Sequence, residues 1–284
     1  MRRPLTNLER PLRDAPPEAL FVAGAVSQYI GAAIAVALFD RLDPAAVAWL
    51  RVATAAAIVV AARRAWRRDW TASELRWAAA FGTALAVMNL SFYLAIAHLP
   101  LGTAVAIEFA GPVAVAALGS RGPRSLVALV LAAAGVLLLA EVQPEGNTIG
   151  VVYALVAGAA WAAYIVLGHR VARTGAAVDG LGVGMAIGAL AIAVFGVPHL
   201  GPALEAPWLL VAAMATGLLS NAVPYAIDQV VLARIARDRF ALLQALLPVT
   251  AVAVGLVALA QRPSPTELAG VALVVTALAL RGRI

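Results

Sequence analysis

The stretch Pro100-Leu101-Gly102-Thr103-Ala104-Val105-Ala106-Ile107-Glu108-Phe109-Ala110-Gly111-Pro112-Val113-Ala114-Val115-Ala116 decides the reading of the chain. It is apolar except for Thr103 and a single acid, Glu108. Such a run does not build a soluble surface, and a carboxylate in its middle is costly in any apolar medium. The sequence around it repeats the pattern. Of 284 residues, 63% are hydrophobic and 13% are charged. A soluble domain holds about 45–50% apolar residues, glycine included, and about 25% charged ones. The composition is that of a polytopic membrane protein.

Ten apolar spans follow from the hydropathy pattern: 19–39, 45–62, 74–97, 101–119, 124–141, 148–168, 179–197, 207–232, 239–260 and 265–281. At about 20 residues per crossing they use about 200 residues. Short loops and a tail, 1–18, make up the rest. Span 19–39 ends without a small-residue cleavage site, and nine more spans follow it. It is therefore expected to stay as a helix rather than leave as a signal peptide.

Arginine gives the orientation. All 21 basic residues are Arg. Eighteen fall on the side that holds the tail, the even-numbered loops and the C-terminus. Only Arg41 and Arg262 fall on the other, and Arg51 lies inside a span. The positive-inside rule places both termini in the cytoplasm. It also accounts for the +6 charge without nucleic acid. A shift of 136 residues lays Glu108 on Gln244 and Pro112 on Pro248. Five spans per half is an odd number, so the second half enters the membrane from the opposite side. The expected fold is an all-α membrane protein with ten transmembrane helices. They form two inverted five-helix repeats, 19–141 and 148–281, the architecture of alternating-access carriers.

Polar groups within the spans need a reason. Arg51 and Glu108 each lie about seven residues into a span from the outer side, roughly 10 Å deep. Two roles fit: a permanent ion pair that locks two spans, or a gated site. In the second, Arg51 takes a carboxylate and Glu108 takes a proton or an ammonium. Asp228 lies near the cytoplasmic end of its span and is a second candidate for proton coupling. Nearby arginines or interfacial water offer it a structural role instead. Gln28, Asn89, Tyr93, Asn221, Tyr225 and Gln244 add uncharged polar groups. Asn89 and Tyr93 are four apart, as are Asn221 and Tyr225, so each pair shares a helix face. They line a cavity or hydrogen-bond between helices. Trp161 and Tyr164 share a face and either cap a substrate or pack. Pro112, Pro224 and Pro248 each delete a backbone hydrogen bond. They free carbonyls at a site, act as hinges or simply kink a helix. Gly180, Gly184 and Gly188 form a stripe that admits a close helix neighbour.

Several chemistries are excluded. With no cysteine there is no disulfide and no thiolate site. His98, His169 and His199 all fall near expected helix ends. No GxxxxGK[ST], HExxH or GxSxG motif is present. Neither a cofactor nor a metal is expected, and the chain is not expected to be an enzyme.

The run from Pro100 to Ala116 resembles the drug/metabolite transporter superfamily, the EamA-type ten-helix exporters. Within them it is most similar to the threonine/homoserine exporter group. Trp49-Leu50-Arg51-Val52-Ala53, Met88-Asn89, Phe92-Tyr93-Leu94, Trp161-Ala162-Ala163-Tyr164 and Pro224-Tyr225 with Asp228 fit the same pattern. The resemblance covers about residues 20–281. It implies a central cavity between the repeats and efflux of small amino acids or related metabolites across the bacterial inner membrane. Substrate-binding residues are then expected at Arg51, Asn89, Tyr93, Glu108, Trp161, Tyr164, Tyr225 and Gln244. Proton coupling is expected at Glu108 and Asp228, and hinges at Pro112 and Pro248. In that group an acid is expected just before the proline of the ninth span. Here Leu247 precedes Pro248, a departure that bears on substrate or coupling. A different cargo and a lipid scramblase are the alternatives.

Overall fold

Helices account for almost all of the described chain, and no strand occurs among the described residues. The structure, a computed structural model, describes residues 15–118, 122–141, 147–173, 177–224, 227, 231, 243 and 246–281. In chain order the helices are α1 (Pro17–Leu38), α2 (Pro44–Arg63), α3 (Ala72–Ile96), α4 (Leu101–Glu108), α5 (Ala110–Leu118) and α6 (Pro123–Glu141). There follow α7 (Thr148–Arg173), α8 (Ala177–Gly196), α9 (Gly201–Glu205), α10 (Pro207–Gly217), α11 (Leu246–Leu259) and α12 (Pro265–Arg281). Among the described residues, five are long and apolar enough to cross a membrane: α1, α2, α3, and the segments Thr148–Gly168 and Asp179–His199. Five shorter apolar stretches accompany them.

The helix ends follow the local chemistry. Asp43 caps α2, its carboxylate accepting from the Ala45 N–H at 2.8 Å, and Pro44 supplies the first helical φ. Thr71 and Glu74 form a reciprocal capping box at the start of α3. Two expected spans are not single helices. The fourth breaks at Phe109 into α4 and α5. Pro112 has no N–H for the Glu108 carbonyl four residues earlier, and this releases the ladder there. The eighth continues from α10 into a π-helical turn, Leu218–Ala222, which ends two residues before Pro224.

Burial is inverted relative to a soluble protein. Leu190, Val194, Val211 and Val257 stand exposed on the outside. Arg51, Asn89, Glu108, Ser220 and Asn221 are buried. An apolar exterior of this extent is a surface for lipid. The chain is thus a multi-pass membrane protein.

Helices meet through glycine. A Cβ placed on Gly82 of α3 would stand 1.7 Å from the Gly184 carbonyl oxygen of α8. One on Gly111 would stand 1.8 Å from the Gly158 oxygen of α7, and one on Gly135 2.8 Å from the Gly270 oxygen. Gly184 and Gly188 of the α8 stripe thus admit α3, as small residues do in membrane bundles, while Gly180 faces Val171 of α7. The contacts also show a pattern. Helix α3 packs on α7 and α8, and α10 with its π-turn packs on α1 and α2. Helices α4 and α5 pack on α7, and α11 packs on α1. The pairs α2–α8, α4–α11 and α6–α12 complete the set.

Polar ties join the two halves at their margins. The Leu101 N–H, at the start of α4, donates to Gln261 Oε1 at 3.0 Å. Thr103 Oγ1 donates to Glu267 Oε1 at 3.1 Å beside a cavity of about 150 Å³. Elsewhere Arg63 and Arg68 reach Asp179 at 3.0 and 3.7 Å.

Candidate functional site

Arg51 lies two turns into α2, and its guanidinium does not reach solvent as a surface arginine would. Its exposure is 6%. Gly217 makes the environment: a Cβ there would stand 2.6 Å from the Arg51 carbonyl oxygen. The backbone of the eighth span therefore lies directly on α2 at this level. The π-turn that follows supplies the acceptors. Arg51 Nε donates to Asn221 Oδ1 at 3.0 Å, and Nη2 donates to the Ser220 carbonyl at 3.2 Å. The guanidinium carbon stands 4.8 Å from the Tyr93 ring centroid, a cation–π contact from α3. Nη1 has no hydrogen-bond partner among the described residues.

Glu108, the last residue of α4, is 7% exposed. No basic nitrogen lies within 4.0 Å of its carboxylate among the described residues, and it accepts no hydrogen bond there. The permanent ion pair with Arg51 is not formed. The two charges still act on each other through the interior, and both act on the phenol of Tyr29 in α1. Tyr29 is 2% exposed.

The cluster is short of partners. Asn89 Nδ2 turns back to the Leu85 carbonyl at 2.8 Å, which leaves Asn89 Oδ1 without a hydrogen bond. Tyr93 Oη and Asn221 Nδ2 are likewise buried without one. Buried polar atoms are nearly always satisfied, and each one left alone costs about 1–3 kcal/mol. The cluster thus holds spare donors, spare acceptors and two charges with no counter-charge in contact among the described residues.

The other expected residues divide. Trp161 packs edge-on against Phe109, centroids 4.5 Å apart, next to the break after Glu108. Tyr164 stacks on Phe81 at 4.7 Å. Phe81 lies twelve residues from Tyr93 on α3, about 18 Å along the axis. Tyr164 is thus not brought to the cluster. Leu247 and Pro248 are buried at the start of α11. Tyr225, Asp228 and Gln244 lie outside the described residues. Asn221 sits in the π-turn.

Sequence reasoning missed two participants. Tyr29 carries a signal only in being a phenol inside an apolar span. Ser220 contributes its backbone carbonyl, and the signal for that is Pro224, four residues on.

Residues 148–282 match the EamA-like transporter family. The chain is 33% identical over 251 residues to the threonine/homoserine exporter RhtA of Escherichia coli (strain K12), across 87% of this chain and 84% of that one. It is 34% identical over 235 residues to RhtA of Salmonella typhimurium (strain SL1344), across 81% and 79%. A crystal structure of another protein superposes with a TM-score of 0.60 over 93% of this chain and 96% of that chain. At 19% identity that likeness is one of fold.

Proposed function

The chain belongs to the EamA-like transporter family, in the threonine/homoserine exporter group of the drug/metabolite transporter superfamily, and from that premise we propose that it exports small zwitterionic amino acids. Threonine and homoserine are the cargo to test first. The observation that carries the reading is the pair of buried charges, Arg51 and Glu108, matched neither to each other nor to another charge among the described residues. A free carboxylate meets Arg51 at its Nη1 edge, over the Tyr93 ring. The ammonium group meets Glu108 and the vacant Asn89 Oδ1. Tyr93 Oη serves the substrate hydroxyl. Tyr225 and Gln244 are proposed to complete the lining, and Asp228 to serve as a second protonation point.

Alternating access follows from the proposed two-repeat architecture, ten crossings with both termini cytoplasmic in the inner membrane. Number the apolar segments one to ten. Exchanging each segment with the one five places on maps the packing of three on six and seven onto that of eight on one and two. It maps four on six onto nine on one, and leaves two–seven, four–nine and five–ten unchanged. Such exchange supports two equivalent halves that rock about a shared site. Pro112 and Pro248 are the proposed hinges.

Glu108 then carries the coupling. Its negative charge in an apolar interior is neutralised by one cation at a time, a proton or the substrate ammonium. Proton entry and substrate release become alternatives at a single carboxylate. Glu108→Gln should abolish proton-driven flux of labelled threonine from proteoliposomes while the protein elutes as a folded, monodisperse species. Wild-type flux from that variant would remove Glu108 from the mechanism. Absence of threonine and homoserine counterflow from folded wild-type protein would keep the carrier and discard the cargo. Leu247 would then be the first position to examine.

A further inference from the structure

We propose that Asn221 is a positioning residue for Arg51: it fixes the guanidinium through a neutral acceptor, so that the arginine keeps its full charge for the substrate carboxylate. The inference rests on the reading of Arg51 given above and deepens it.

Pro224 follows the π-turn two residues on. It has no N–H, so the Ser220 carbonyl cannot be taken by an α-type bond, nor the Leu219 carbonyl by a π-type bond. Both carbonyls are instead captured from the first half of the chain. The Leu219 oxygen accepts from Ser27 Oγ of α1 at 2.8 Å, and the Ser220 oxygen accepts from Arg51 Nη2. Ser220 Oγ donates back to the Gln28 carbonyl at 2.8 Å. Gly31 leaves room for it, since a Cβ there would stand 2.2 Å from that oxygen. The π-turn is thus stitched to α1 and α2 and cannot turn independently of them.

Among the described residues, the groups that touch the guanidinium are uncharged: an amide oxygen, a backbone carbonyl and an aromatic face. Arginine offers five N–H donors in a fixed fork. The Nε and Nη2 edge is spent on the π-turn, which aims the Nη1 edge the other way. Asn221 is fully buried, yet its Nδ2 makes no hydrogen bond. A side chain present only for packing or stability would not be expected to leave that donor unmatched. An aspartate at the same place would hold Arg51 as well or better and would cancel its charge. Asparagine supplies the geometry without the neutralisation.

Counterflow of labelled threonine in proteoliposomes tests this with Asn221→Asp, Asn221→Ala and Arg51→Ala, each also followed by thermal unfolding in detergent. Asn221→Asp should raise the apparent KM about tenfold or more, the scale of one charge-assisted contact, with the maximal rate retained and a midpoint at or above wild type. Asn221→Ala should also raise KM, with a lower midpoint. A merely structural Asn221 would move the midpoint and leave KM alone. Wild-type KM in Asn221→Asp, with Arg51→Ala inactive, overturns the role of Asn221 and spares Arg51. Wild-type transport by Arg51→Ala overturns the carboxylate reading itself. Independently of cargo, equal midpoints for Asn221→Asp and Asn221→Ala would show that position 221 does not hold the arginine, and the proposal would fail.

Discussion

Arg51→Lys should yield a folded protein whose apparent affinity for threonine has fallen about 100-fold, the scale of two charge-assisted hydrogen bonds. Charge is conserved in this exchange, so a purely electrostatic role would predict little change. The guanidinium, however, does three things at once. It bridges Asn221 Oδ1 and the Ser220 carbonyl, lies over the Tyr93 ring, and leaves a second edge open. An ammonium is a compact, strongly hydrated point charge and has no second edge to offer. Initial rates of counterflow against threonine concentration measure the effect. A lysine variant with wild-type KM would mean that the substrate does not use the fork of Arg51.

The second large effect concerns assembly. Gly82→Ala should cost about 3 kcal/mol or more, at the upper end of overpacking penalties. The added methyl would stand 1.7 Å from the Gly184 carbonyl oxygen. Backbone, not a flexible side chain, is what it meets, so no rotamer change relieves the contact. A Cβ on Gly188 of the same stripe would likewise stand 2.2 Å from the Gly82 carbonyl oxygen, so α8 has backbone against α3 at both levels. Size-exclusion yield and the thermal midpoint in mild detergent report it. Gly201→Ala is the control, since a Cβ there has nothing within 4 Å. Equal behaviour of the two variants would mean that α3 and α8 can part without loss.

Much of this is legible in the sequence. Hydropathy pointed to the apolar helices that the described residues form, because a membrane chain must hide its backbone in long apolar runs. Arg51, Glu108, Asn89 and Tyr93 stood out because each is expensive where it lies. Two things were out of reach. The breaks in the fourth and eighth segments depend on which carbonyl each proline orphans and what then takes it. Pro112 and Pro224 are visible in the sequence, but Ser27 and Arg51 as the donors to the carbonyls freed by Pro224 require the tertiary contact. Likewise no spacing rule separates an Arg51–Glu108 pair from an Arg51–Asn221 tether. The choice is made by Gly217, which brings the π-turn onto α2. Tyr164 shows the converse. Its three-residue spacing from Trp161 places the two on one side of a helix, yet Phe81 stacks on it about 18 Å from Tyr93.

The tie between Gln261 and the start of α4 has a consequence for hydration. A side-chain oxygen from the second half satisfies the Leu101 N–H, and Thr103 Oγ1 is held by Glu267 close by. On the alternating-access proposal, that margin parts once per cycle. An amide and a hydroxyl then need new partners, and only solvent can supply them at that rim. The open form is therefore the wetter one by several bound molecules on the order of the groups released. Osmotic stress, applied with a solute too large to enter the rim, should bias the carrier toward its closed form and slow turnover more than it weakens binding. Gln261→Ala, which leaves the amide already wetted, should blunt that response.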